Sequence, residues 1–310
     1  MEITYFDAFS RGWDRMKKGL FQPFDLGKWF VVGFTAFLAG LMEGPGGSGN
    51  ISRNKWDNAP HIDDIADFPS VAWDWLMLHP LWASLILLGT LFLIAVIIVF
   101  TWLSSRGKFM FLDNVVHNKA EVTKPWHQYR RQGDSLFLWR LVYGFIVFAT
   151  IVAIMVFFVG LILNMVHGSI SGAQKVYTIM GMVFLFLVFF ILTSYISLFL
   201  DHFVVPIMYK HNLSAMQGWG RFLPLMSQYF GYFLLYGIIM LFLIILMIFC
   251  IILFGFMTCC IGFLLLIIPY IGSVVLLPVS YTFRAYSLEF LGQFGPEFEI
   301  FPPAGEVKVT

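Results

Sequence analysis

Long stretches of this chain carry no ionisable side chain, and short segments rich in charge separate them. No Asp, Glu, Lys or Arg occurs in residues 82–103, 141–164, 176–200, 231–257 or 261–283. A hydrocarbon core of about 30 Å is crossed by roughly 20 apolar residues at about 1.5 Å each, so each window predicts a transmembrane helix. A shorter stretch, Phe30 to Met42, predicts a sixth crossing once Leu26 and Gly27 are added and Lys28 extends its ammonium to the headgroups. The segments ahead of each pair of crossings follow a helical period with two faces, placed at about 100° per residue. In the first, Tyr5, Phe6, Phe9, Trp13, Met16 and Leu20 share a face opposite Arg11, Asp14, Arg15 and Lys18. In the second, Trp126, Tyr129, Gly133, Leu136 and Phe137 oppose His127, Arg131 and Asp134. In the third, Met216, Trp219, Phe222, Leu223, Met226 and Phe230 align. Thr123 and Ser214 are the expected caps of the last two.

The predicted architecture is therefore all-α and integral to a membrane: six transmembrane helices in three pairs, each pair preceded by an interfacial amphipathic helix. Composition agrees, since 59% hydrophobic and 12% charged residues with a mean hydropathy of +0.82 exclude an ordinary soluble domain. Charge placement adds orientation. Of the 19 Lys and Arg, only Arg53, Lys55 and Lys175 fall on one side of the six crossings. Positive loops stay inside, so the chain is expected in the inner (cytoplasmic) membrane with both termini cytoplasmic. Residues 43–80 form the one large external loop, glycine-rich and then acidic, with Trp73, Trp75 and Trp82 at the outer headgroup level. The first 25 residues lack the apolar core of a cleavable signal peptide.

An internal repeat refines this picture. Phe111-Leu112-Asp113 matches Phe199-Leu200-Asp201, and Trp126, Phe137, Leu141, Tyr143 and Gly144 match Trp219, Phe230, Leu234, Tyr236 and Gly237 at one constant offset. Within a single domain of residues 1–310, the repeats approximate to 1–116, 117–210 and 211–310. Because each copy crosses twice, the copies share one topology, related by rotation about the membrane normal.

Candidate chemistry is sparse. Asp113, Asp201 and Arg284 are expected to form a structural charge cluster at the cytoplasmic end of the bundle, with a gate or ion site as the competing role. Trp13, Trp126 and Trp219 are the expected interfacial anchors. Their helices would set the angle of the following span or, functionally, grip anionic lipid or dock a partner. His61, Asp63, Asp64 and Asp67 include oxygen ligands but lack the pattern of a calcium loop, so no metal or cofactor is expected. Cys250 and the adjacent Cys259 and Cys260 do not suggest a disulfide framework. No phosphate loop, zinc-helix signature, nucleophile elbow or nucleic-acid footprint occurs, so no enzyme is expected.

The run from Pro278 to Pro296 and the N-terminal Phe21-Gln22-Pro23-Phe24-Asp25-Leu26-Gly27-Lys28-Trp29 resemble uncharacterised bacterial and archaeal multi-pass proteins. These are related to the membrane domain ahead of some glycerophosphodiester phosphodiesterases. The resemblance implies a membrane fold; in those enzymes a separate soluble domain carries the catalytic His, Glu and Asp, and none is expected here. The resulting expectation is a non-catalytic membrane component that organises lipid or anchors a protein assembly. Its partners would be lipids, other membrane subunits or a second copy of the chain. The alternative is a transporter or channel for a small apolar or amphiphilic substrate, with Thr193, Ser194, Ser197, Ser280 and Tyr281 along its path.

Overall fold

A computed structural model describes residues 3–42, 73–167, 171–258 and 261–302. Most of the external loop, including His61, Asp63, Asp64 and Asp67, lies outside the described residues, as do Cys259 and Cys260. Among the described residues the regular elements are helices, with no strand. In chain order they are α1 (Tyr5–Phe21), α2 (Leu26–Gly40), α3 (73–78), α4 (Pro80–His117), α5 (Thr123–Gln128) and α6 (Arg130–His167). There follow α7 (Gly172–Phe199), a π-helical turn (Leu200–Val204), α8 (Val205–His211), α9 (Ala215–Gln228) and α10 (Phe230–Met257). The chain then forms α11 (Ile261–Ile267), α12 (Pro269–Val275) and α13 (Leu277–Gly292).

Four helical stretches are long and apolar enough to cross a bilayer: Pro80–His117, Arg130–Met165, Gly172–His211 and Phe230–Met257. They mark the chain as an all-helical membrane protein, because a helix satisfies its own peptide groups where no water can. The 261–283 window differs from the uninterrupted helix its composition predicts. Pro269 and Pro278 cannot donate to the carbonyls four residues earlier, and the helix breaks at Ile268 and again at Leu276. The apolar α2 has 15 residues, about 22 Å of helix.

The amphipathic helices also depart in detail from their predicted form. Ser214 caps α9 in a reciprocal capping box with Gln217. Thr123, by contrast, is the first helical residue of α5, whose cap position is Val122 with no side-chain bond. Three residues beyond Thr123 stands Trp126, which cannot return the bond that Gln217 returns to Ser214. The second amphipathic segment is divided at Tyr129, so Gly133, Leu136 and Phe137 lie on the opening turns of α6. On α1 the buried positions are Ala8, Gly12, Met16, Gly19 and Leu20, whereas Phe6 and Trp13 are exposed. Gly12 lets α1 lie against the α13 backbone: a Cβ there would stand 2.8 Å from Tyr286 N.

The chain divides into two compact units. The first comprises Met1–Glu43, Thr101–Arg140 and Tyr195–Thr310, and the second Gly44–Phe100 and Leu141–Ser194. Fully buried aromatic side chains fill the first unit. Phe203 meets Phe233 edge-on at 5.0 Å and Tyr236 at 4.9 Å, while Phe233 stacks on Phe294 at 4.9 Å. Such pairs add roughly 0.5–1.5 kcal/mol each beyond area burial. At Gly107, α4 crosses α2 so closely that a Cβ would lie 2.6 Å from Ala39 N. The second unit contains long apolar helix segments whose Leu87, Phe92, Phe148, Phe157, Phe184 and Phe190 are exposed. Its polar groups mostly bond within their own helix, as Thr150 does to the Ile146 carbonyl at 2.8 Å, although the Tyr143 hydroxyl reaches the Thr193 carbonyl at 3.2 Å.

Candidate functional site

The first unit concentrates its polar chemistry around the π-helical turn, and Pro206 explains why the turn needs help. Val205 N–H bonds back to Leu200 O, the wider spacing of a π-helix. The next residue, Pro206, has no N–H, so the Asp201 carbonyl loses both of its helical donors. Arg284 Nη1 supplies the missing bond at 2.6 Å. A side chain of α13 thereby caps an orphan carbonyl in the middle of a long helical stretch. The Asp201 carboxylate pairs with Lys108, whose side chain is 1% exposed. Removing either member of such a buried pair strands a charge.

Beside this staple lies a cavity of about 170 Å³, lined by Ala36, Ala39 and Gly40 of α2, Phe111, His202 and the Ser280, Phe283 and Arg284 face of α13. His202 Nδ1 is held by the Tyr236 hydroxyl at 2.8 Å. Small residues of α2 leave the space, and the cation and two neutral polar groups give it a net positive character.

A second polar cluster surrounds Asp113. Its Oδ1 accepts from the Tyr209 hydroxyl at 2.7 Å and the Tyr129 hydroxyl at 3.2 Å, with His117 Nδ1 at 3.1 Å. Burial pushes the Tyr129 hydroxyl up to about 12. A third cluster is built on Arg106, which donates to both oxygens of Asp134 at 2.8 and 3.0 Å. Its guanidinium lies over Trp102 at 4.4 Å and Trp126 at 4.9 Å. On α13, Glu289 receives Arg11 Nε at 3.1 Å and also Arg15, tying α1 down.

Of the three charges expected to cluster, Asp201 and Arg284 meet, through the Asp201 backbone oxygen. Asp113 is satisfied by tyrosine hydroxyls and His117. Among the anchors, Trp13 is exposed on α1, Trp126 packs edge-on to Trp102 at 5.6 Å, and Trp219 stacks on Trp139 at 5.6 Å. Of the polar residues on the predicted transport path, Ser280 lines the cavity. Tyr281 donates to the Val115 carbonyl at 3.2 Å, and Thr193 bonds back to Phe189 O at 2.9 Å. Lys108 and Arg106 escaped selection because their sequence signal was only a share of the positive loop, and nothing local names a partner tens of residues away. Among the described residues, no group of three or more His, Cys, Asp or Glu is placed to hold a metal ion.

Residues 3–276 match a family of unknown function, DUF7544. No curated protein and no solved structure matches the chain.

Proposed function

The chain belongs to DUF7544, a family of unknown function, and we propose from its geometry that it is a non-catalytic membrane component that organises lipid or anchors a protein assembly. One observation carries this reading. None of the most apolar 18-residue window of Pro80–His117 or Arg130–Met165 is buried within the chain, and only 11% is buried in Gly172–His211 and Phe230–Met257. A transporter buries one face of each span around its pathway. These helices instead offer their faces to lipid tails or to apolar helices of another chain.

The finer architecture in this reading has six crossings in three rotationally related pairs, with both termini cytoplasmic. Its support comes from particular contacts. The two shortest crossings pack together: Gly33 of α2 meets Val274, and Tyr270 of α12 donates to Phe30 O at 3.0 Å. Asn118 and Asn212, at φ 55° and 52°, end two helices in the left-handed conformation, and the helices carrying Trp126 and Trp219 follow each. The resemblance to the membrane domain ahead of glycerophosphodiester phosphodiesterases contributes architecture alone, a membrane part placed beside chemistry done elsewhere.

Native mass spectrometry of the gently solubilised protein is expected to show retained anionic lipid or co-purifying membrane chains. A bare monomer, or solute flux in liposomes carrying the pure protein, would overturn the proposal. A reporter fused after Thr310 is expected to report from the cytoplasm.

A further inference from the structure

We propose that the cavity beside the π-helical turn is an oxyanion site that takes a phosphate group, carried by a lipid headgroup or free in solution. This deepens the lipid-organising reading and rests on it.

Three polar groups with unused bonding capacity converge on the space. Arg284 donates one hydrogen bond, to Asp201 O, and its other guanidinium donors have no protein partner among the described residues. His202 uses Nδ1 on Tyr236; with that hydroxyl donating, the ring proton sits on Nε2, a donor without a partner among the described residues. The Ser280 hydroxyl also has no partner among the described residues.

Charge and size narrow the ligand. Lys108 engages the neighbouring Asp201 carboxylate, and among the described residues no carboxylate stands within ion-pair distance of Arg284. The cavity therefore presents an uncompensated cation to whatever enters. A volume of about 170 Å³ equals roughly five or six waters at about 30 Å³ each, enough for a phosphate and too little for acyl chains. Phe111 and Phe283 form apolar walls that lower the local dielectric and strengthen charge-assisted bonds to an oxyanion. The same fork that caps Asp201 O is preorganised, since that bond fixes the guanidinium before any ligand arrives.

The test uses the full chain in a maltoside detergent, which carries no phosphate. Phosphatidylglycerol, a diacylglycerol with the same chains, and inorganic phosphate are added separately, and the unfolding midpoint and bound phosphorus are read. Phosphatidylglycerol or inorganic phosphate is expected to raise the midpoint and diacylglycerol to leave it unchanged. Stabilisation by phosphatidylglycerol alone assigns the lipid as the source, and stabilisation by inorganic phosphate alone assigns the free anion. Ala36→Leu, which fills the cavity from α2 and keeps the Arg284 side chain, is expected to weaken binding about tenfold, and Ser280→Ala about threefold. Arg284→Gln is expected to abolish binding, but it also uncaps Asp201 O, so Ala36→Leu decides if that variant does not fold. No stabilisation by either phosphate source, or equal affinity in wild type, Ala36→Leu and Ser280→Ala, would overturn the site. Lipid retained equally by wild type and Ala36→Leu sinks the cavity and leaves the lipid-organising reading standing, whereas no retained lipid or partner at all sinks that reading.

Discussion

The aromatic core of the first unit and the apolar helices of the second handle the same composition in opposite ways, while α10 of the first unit leaves Phe242 and Phe256 exposed as the second unit does. In the first, Phe203, Phe222, Phe233, Tyr236 and Phe290 are fully buried, and the buried cations Lys108 and Arg106 are tied to the carboxylates of Asp201 and Asp134. In the second, Phe92, Phe148 and Phe184 are each exposed to at least 64%. Between lipid tails and a leucine side chain there is no hydrophobic preference, so an uninterrupted apolar helix needs no protein cover in a bilayer. Cover is needed where the backbone stops satisfying itself. The first unit holds the π-helical turn and the prolines at 206, 269 and 278, and the dense packing of its core follows the irregular backbone, with hydrophobicity a secondary factor.

The sharpest probe of this contrast is charge removal. Lys108→Met leaves the Asp201 carboxylate without Lys108 and is expected to cost about 3–5 kcal/mol of stability in detergent unfolding. Lys175→Met, at an exposed site of the second unit, is expected to change stability by less than about 0.5 kcal/mol. Equal effects would erase the distinction between the units. Next in size is Phe233→Ala, which opens a void in the aromatic core and is expected to cost about 3–4 kcal/mol. Phe184→Ala, whose ring is 68% exposed, is expected to stay within about 0.5 kcal/mol.

Glycines sharpen the comparison at smaller scale. Gly107→Ala forces a Cβ into the Ala39 and Leu38 backbone and is expected to cost about 1–3 kcal/mol. Gly160→Ala meets nothing within 4 Å and is expected to stabilise its helix by about 0.5–1 kcal/mol. Opposite signs in the unfolding midpoints are the outcome to look for.

The second unit was almost wholly legible in the sequence. A membrane helix announces itself through some 20 consecutive apolar residues, and the second-unit stretches of α4, α6 and α7 do so without any tertiary information, as does α10 of the first unit. The first unit was legible only in part. Pro269 and Pro278 stood inside a window whose lack of charge suggested continuity, and the breaks they impose follow from the missing N–H. Pro206 disturbs a helix by residue type alone, yet which carbonyl it orphans depends on the π-spacing that only the fold reveals. The pairing of Lys108 with Asp201 is beyond local reading, because the two residues are 93 positions apart and many loop cations were equally eligible. The same holds for Tyr129 and Tyr209 around Asp113, where two aromatic residues of ordinary membrane composition turned out to be hydrogen-bond donors.

The smallest expected effect tests that last pair of donors. Tyr129 is 7% exposed, and burial raises its hydroxyl to about 12. Its proton is held more tightly in the folded chain than in the unfolded one, where a tyrosine titrates near about 10. The stabilisation from neutral Tyr129 is therefore complete below about pH 10 and is lost as pH rises through about 12. Tyr129→Phe removes the titrating group together with its bond to Asp113, costing about 1 kcal/mol near neutrality. The unfolding midpoint of wild type should stand above that of the variant at about pH 8, meet it near about pH 11 and fall below it as pH approaches about 12, because only wild type must then lose a buried proton. A gap that stays constant across this range would mean that the Tyr129 hydroxyl is solvated, and that the first unit is less completely closed around its polar groups than its packing indicates.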